Sequence, residues 1–265
     1  SRSRSPERVL QEAQMLIGEG FKEIVLTGVH LGTYGSDLEE AVSLATLLRS
    51  VADLPGLMRL RISSVDPHEI TRELVEVIAE NHVICRHLHI PAQAGDDEIL
   101  RAMRRRNSVS EYRQLVETLR RAMPNLAITT DIIVGFPGET EASFDRTYEF
   151  CAEMAFSKIH VFPYSRRART RAATLPNQVS SDEKLERTQR LLALSEASAL
   201  AYHQSFVGSE VEVLLEGASE LYPDHVQGLT DTYVRVHTPA RDGASLGELV
   251  TVTALEATAH GLKAD

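Results

Sequence analysis

The chain has no tryptophan, only two cysteines among 265 residues, and an aromatic content of 5%. Two thiols, Cys85 and Cys151, allow neither a disulfide framework nor a three-cysteine cluster site, and both read as buried thiols. No uninterrupted apolar run approaches the roughly 18 residues a membrane helix needs. The start, SRSRSPERVL, lacks the apolar core of a secretory signal. No membrane contact and a cytoplasmic location follow as expectations. A surplus of cations is missing too: a net charge of −10 argues against general coating of nucleic acid. Much of that acidity is local, with ten carboxylates against three cations in residues 209–265. The near-neutral remainder holds two arginine clusters, Arg101/Arg104/Arg105/Arg106 and Arg166/Arg167/Arg169/Arg171. They read either as phosphate-binding patches or as solvated faces.

Five short β-branched apolar runs alternate with segments of helical period, the pattern of βα units and a parallel sheet. The predicted strands are Glu23–Val29, Met58–Val65, His87–Ile90, Ala127–Gly135 and Lys158–Tyr164. Predicted helices cover Pro6–Glu19, Leu38–Ala52, Pro67–Glu80, Ser110–Met123 and Thr140–Met154, and Ser5-Pro6 supplies an N-cap and a first-turn proline. Parallel units are normally strand first, so an opening helix predicts a preceding strand outside this sequence. A long helix, Ser181–Phe206, breaks at Gly208. Short alternating strands then follow at Glu210–Leu215, Val226–Leu229, Tyr233–His237 and Glu248–Leu255, which predict a small antiparallel β-barrel.

The most informative segment is 126–139, LAITTDIIVGFPGE, where a strand runs into Gly135, Pro137, Gly138 and Glu139. Bare backbone at an outgoing strand end either holds a flat nucleotide-like ligand or makes a plain tight turn. The other outgoing ends offer Thr27-Gly28-Val29, Ser63-Ser64, Gln93 and Phe162-Pro163-Tyr164. That set of hydroxyls, amides and glycines suits a polar nucleoside and contains no nucleophile–base pair. The reacting group must then come from a cofactor or from polypeptide outside the sequence. A rival reading takes His87 and His89, two apart on one strand face, with Asp131 and His160 as ligands of a metal-dependent barrel hydrolase. In the tail, Tyr233 and Arg235 place an aromatic and a cation on a small barrel that either stacks RNA or is purely structural.

Six segments, RSRSPE, EIVLTGVHLGTYG, RLRISSVDP, HLHIPAQAGDDEILRAMRRR, ITTDIIVGFPGETEASF and HVFPYS, together resemble the radical S-adenosylmethionine methylthiotransferases over essentially the whole chain. TGVHLGTYG and ISSVDP are more similar to the tRNA threonylcarbamoyladenosine branch than to the isopentenyladenosine or ribosomal-protein branches. The resemblance implies an α/β fold, a radical-SAM partial (β/α) barrel of about five parallel strands at residues 1–206, lacking its first strand and cysteine loop. A TRAM-like β-barrel is implied at 207–265. The implied activity is methylthiolation at C2 of N6-threonylcarbamoyladenosine near the tRNA anticodon. It uses S-adenosylmethionine and [4Fe-4S] clusters that only a longer protein would carry.

Carried onto this chain, the resemblance gives Thr27, Gly28 and Val29 to the methionine amino group and Ser63 and Ser64 to the ribose. Gln93 falls in the shared pocket, Gly135, Phe136 and Glu139 on the adenine side, and Phe162 and Tyr164 beside the cofactor. The arginine clusters, with Tyr233 and Arg235, are implied to meet tRNA. Three departures stand out. The family's CxxxCxxC triplet is absent from this sequence, which predicts that the chain alone is inactive. Residues 165–172, SRRARTRA, lose prolines and a glycine and predict a looser, more basic loop, and Ala94 and Asp96 stand where relatives carry serines. A non-catalytic RNA-binding homologue is the competing reading, and the oligomeric state is left open.

Overall fold

The computed structural model describes residues 2–39, 42–240 and 245–265. Strands β1 (Glu23–Leu26), β2 (Arg59–Ile62), β3 (His87–His89), β4 (Ala127–Val134) and β5 (Lys158–Pro163) pair in parallel as β1–β2 and as β3–β4–β5. The two groups are joined where Leu60 bridges Ile84 and the Val65 amide donates to the His89 carbonyl at 3.1 Å. Five parallel strands thus run in chain order, and β4 is buried along nearly its whole length, as strands covered on both faces are. Each strand stops short of its predicted end. Thr27–Val29 leave the sheet, and Val29 is 94% exposed.

Helices α1 (Pro6–Gly18), α2 (Leu44–Ala52), α3 (Arg72–Glu80), α5 (Val109–Ala122) and α6 (Glu141–Met154) cover the strands. Ser43, Thr71, Ser108 and Thr140 cap the last four through side-chain oxygens, whereas Ser5 holds the N-cap of α1 without such a bond. Part of the predicted helix Leu38–Ala52, residues 40–41, lies outside the described residues. The predicted helix Pro67–Glu80 divides into a 3₁₀ turn, Pro67–Glu69, and α3. A helix not foreseen, α4 (Asp97–Ala102), begins where Asp96 accepts from the Glu98 and Ile99 amides, which gives the unusual Asp96 a structural role. Leu48, Leu60, Ile78, Ile90, Leu119, Phe144 and Phe156 form the fully buried centre. Within it Tyr112 donates its hydroxyl to the Ile90 carbonyl at 2.7 Å, so its one polar group is paired in the apolar interior.

Helix α7 (Ser181–Gln204) lies along the free edge of β5. Its Ser195 hydroxyl accepts from the Ile159 amide at 2.9 Å and donates to the Ile159 carbonyl at 3.1 Å, which removes an open edge that would otherwise pair with another chain. Beyond it, β6 (Glu210–Ala218), β7 (His225–Leu229), β8 (Arg235–Pro239), β9 (Leu249–Thr258) and β10 (Gly261–Ala264) close into a barrel in the order β10-β8-β7-β6-β9. Val213, Leu215, Val236, Val252, Ala254 and Leu262 fill it. One expectation needs correction: the barrel is not wholly antiparallel, because the unforeseen β10 closes it by running parallel to β8. Gly228 is required at the β6–β7 crossing, where a Cβ would lie 2.0 Å from the Leu214 carbonyl oxygen.

Two arginines of β2 dock this barrel onto the sheet. Arg59 donates to the carbonyls of Leu229 and Glu212 at 2.9 and 2.7 Å. Arg61 donates to those of Asp231 and Thr230 at 2.9 and 3.0 Å and pairs with Glu23 at 2.6 Å. Both guanidinium groups are buried, so every donated bond replaces water that is no longer there.

Candidate functional site

Because side chains alternate along a strand, His87 and His89, Thr129 and Asp131, and Lys158, His160 and Phe162 each project to the same face. They line a cavity of about 800 Å³ between the sheet, α7 and the small barrel. Tyr233 forms its floor. Its backbone has φ 66° in the tight turn before β8, and the ring stacks on His87 at 4.9 Å with the Arg61 guanidinium 4.7 Å from its centroid. Tyr233 thus rests one face on His87 while remaining 52% exposed where it lines the cavity. Arg235 pairs with Glu216 at 3.4 Å.

The Thr129 hydroxyl lies 3.1 Å from His87 Nε2 and 2.9 Å from His89 Nδ1, and His89 Nε2 faces Asp131 Oδ1 at 3.3 Å. Burial and the nearby Arg61 push the His87 imidazole down to about 3, so it is neutral at ordinary pH. Burial also lowers His160. Among the described residues the one group of three whose ligand atoms lie within 4.8 Å of one another is His30, Asp66 and Glu69. His87, His89, Asp131 and His160 do not assemble as a metal set, because hydrogen bonds to Thr129 and Asp131 already fix the first two rings.

Of the predicted cofactor residues, Ser63, Ser64 and Phe162 line the cavity. The Ser63 Oγ is buried without a hydrogen-bond partner. Thr27, Gly28 and Val29 are exposed at the outgoing end of β1, outside the cavity lining. Gln93 is buried at φ 71°, and its backbone extends the sheet through the Asp131 carbonyl and the Ile133 amide. At Gly135 the expectation of bare backbone is overturned: Lys184 of α7 lies where a Cβ would sit, 2.3 Å from its Cγ. Glu139 is likewise not free for a ligand, since it accepts from the Gly135 amide at 2.9 Å and forms a buried pair with Arg187 at 2.9 Å. Phe136 and Tyr164 pack edge to face beside them at 5.4 Å. The glycine-rich turn is thus covered by α7 at Gly135 and Glu139, the latter across 48 residues of sequence that local pattern does not carry, while Gly138 stays exposed.

A second cleft, of about 330 Å³, opens beyond the outgoing ends of β1 and β2, lined by His30, Thr33, Asp66, His68, Glu69 and Arg104–Asn107. Arg105 pairs with Asp66 at 3.4 Å, while Arg101 bonds only within its own helix. Arg166, Arg167, Arg169 and Arg171 are exposed and line neither cavity. Arg59 and Arg61 were missed as key residues; two cations in an otherwise apolar parallel strand are a readable sign that a partner waits for them.

The two implied cofactors fare differently against these residues. The orphaned hydroxyl of Ser63, a residue lining the larger cavity, fits a ribose-bearing ligand such as S-adenosylmethionine. No fit exists for an iron–sulfur cluster: Cys85 and Cys151 are both buried, burial pushes Cys85 up to about 12 and raises Cys151 as well, and neither thiol lines a cavity.

Fold and site together define an open α/β barrel whose concave face is shared with a second, small β-barrel. The Radical SAM superfamily matches residues 1–151, and the chain belongs to that superfamily. It is 41% identical to the threonylcarbamoyladenosine tRNA methylthiotransferase MtaB of Bacillus subtilis (strain 168), over 97% of this chain and 57% of that protein. Against the tRNA-2-methylthio-N(6)-dimethylallyladenosine synthase of Moorella thermoacetica (strain ATCC 39073 / JCM 9320) it is 40% identical, over 100% and 59%. The chain therefore spans less than two thirds of the length of these relatives. Among solved structures, the radical S-adenosylmethionine methyltransferase TsrM from Kitasatospora setae matches with a TM-score of 0.51 at 17% identity, over 62% of this chain and 32% of that one. Methylornithine synthase (PylB) matches with a TM-score of 0.50 at 16% identity, over 71% and 53%. These two likenesses concern the fold.

Proposed function

We propose that this chain is the cofactor- and RNA-binding part of a tRNA methylthiotransferase that acts on C2 of N6-threonylcarbamoyladenosine. Residues 1–206 form its partial barrel and residues 207–265 a TRAM-like domain. The observation that carries the reading is the concave cavity lined by a serine with an unpartnered hydroxyl, in a chain about 40% identical to two named tRNA methylthiotransferases. S-adenosylmethionine, when bound, would supply the adenosyl radical and the methyl group. The Ser63 and Ser64 hydroxyls bind its ribose and Phe162 covers one side, while Thr27–Val29 and Gln93, which do not line this cavity, are given no contact with it. Asp131 holds the His89 ring through Nε2, so that the polar wall keeps one orientation. No step is assigned to a cluster, since the thiols present do not fit one.

Binding of S-adenosylmethionine by calorimetry tests the reading, with Ser63→Ala expected to weaken it about fivefold, the loss of one hydrogen bond. Wild-type affinity in that variant counts against it. Iron and sulfide reconstitution of this chain is expected to give no cluster absorbance, and a stable cluster would refute the assignment of both thiols as inert. Binding of tRNA across a salt series is expected to show a negative slope that flattens when Arg166–Arg171 are neutralised.

A further inference from the structure

We propose that the cleft beyond β1 and β2 is a specificity pocket for a carboxylate-bearing substituent on the target adenosine. Arg104 and Arg106 meet the carboxylate, and Glu69 accepts from a hydroxyl or N–H. The inference rests on the tRNA methylthiotransferase reading and deepens it by assigning the residues that would recognise the threonylcarbamoyl group. The two named relatives are almost equally similar to this chain, yet one name carries a threonylcarbamoyl group and the other a hydrocarbon, dimethylallyl. Overall identity does not choose between them; the chemistry of the cleft does.

Four groups in the cleft lack partners among the described residues. Arg104 has φ 60°, a conformation that is strained for any residue with a Cβ and natural for glycine, and its exposed guanidinium forms no ion pair or hydrogen bond. Arg106 is also exposed and unpaired. Glu69 is only 8% exposed, its carboxylate bonds to nothing, and it lies so close over Gly32 that a Cβ there would sit 2.6 Å from Oε2. Asn107 Nδ2 is buried without an acceptor. The remaining acid, Asp66, is taken by Arg105.

Free cations beside an unpaired acceptor and an unpaired donor suit a group that has both a carboxylate and a hydroxyl. A hydrocarbon would leave Glu69 and Asn107 buried and unpaired, which sites of this kind reject strongly. A divalent cation on His30, Asp66 and Glu69 is disfavoured by the three guanidinium groups lining the same space, one of which already occupies Asp66. Position agrees as well: Asp66 follows Ser63 by three residues, so the cleft begins within about 10 Å of the proposed ribose contact.

The experiment compares anticodon stem-loops identical except at one adenosine, which carries threonylcarbamoyl, dimethylallyl or no substituent. Affinity for the whole 265-residue chain is read by fluorescence anisotropy, with and without EDTA. The threonylcarbamoyl form is expected to bind about tenfold more tightly than either other form, the effect of one charge-assisted contact. Arg104→Gly, which relaxes the backbone and so is not expected to unfold the chain, should reduce that preference to about twofold. Because the readout is a ratio, general loss of phosphate attraction cancels. Equal affinities for the three RNAs, or a preference intact in Arg104→Gly and in Glu69→Gln, would overturn the pocket while leaving the tRNA reading standing. A preference abolished by EDTA would overturn it in favour of a metal. Failure to bind any of the RNAs would remove the tRNA reading and the pocket with it.

Discussion

On β2, Arg59 and Arg61 are each 3% exposed and give their guanidinium groups to carbonyls of the small barrel. Beyond the outgoing end of the same sheet, Arg104 and Arg106 stand exposed without a partner among the described residues. The residue type is shared and the consequence opposite. A cation enclosed by the fold needs protein acceptors in place of most of its lost water, as Arg59 and Arg61 have at all their donors but the buried Arg59 Nε, so the β2 pair is structural. A cation left unmatched in solvent costs the fold little and keeps its full capacity for a ligand. Burial and pairing, not arginine content, separate the clamp from the proposed binding surface.

That contrast can be broken most forcefully at the clamp. Arg61→Ala leaves the carbonyls of Thr230 and Asp231 and the Glu23 carboxylate buried without their donor, and is expected to destabilise the chain by about 4 kcal/mol. Urea unfolding measures this, and a loss below about 1 kcal/mol would show that the barrel docks by other means. A smaller effect is expected from His87, next to the clamp. Its ordinary value is 6.5 and the folded chain holds it at about 3, so the unfolded state takes up the proton first as pH falls. Stability present above pH 6.5 should fall by about 2 kcal/mol by pH 5, and His87→Asn should flatten that dependence. The smallest change in stability is expected on the exposed side. Arg167→Glu with Arg169→Glu should move unfolding by less than about 0.5 kcal/mol while lowering the salt slope of tRNA binding by about 2. A stability loss comparable to that of Arg61→Ala would erase the distinction.

The parallel sheet was legible because β-branched runs such as AITTDIIV alternate with amphipathic, well-capped segments, and each signal is local. Strand ends were overrun: TGV and SSV continue the apolar character of β1 and β2, and only hydrogen bonding to a neighbour decides where a strand stops. Helix α4 and strand β10 were missed because six and four residues are too short for either period to show. Ser63, Ser64 and Phe162, named from their place at outgoing strand ends, line the larger cavity, whereas Glu139, read as open, is held by Arg187. Tyr233 is exposed, but nothing local reports its left-handed turn or the ring of His87 beneath it.

Sequence alone determined the order of strands and helices, the change to a second barrel after Gly208 and the membership of a family, because these follow from periodicity, capping and contiguous motifs. Tertiary structure decided which arginines are clamps and which are free, that α7 covers Gly135, and that Glu69, Arg104 and Asn107 share a cleft. Those outcomes depend on groups from separate elements losing water together, and desolvation is a property of the assembled fold that no stretch of neighbouring residues contains.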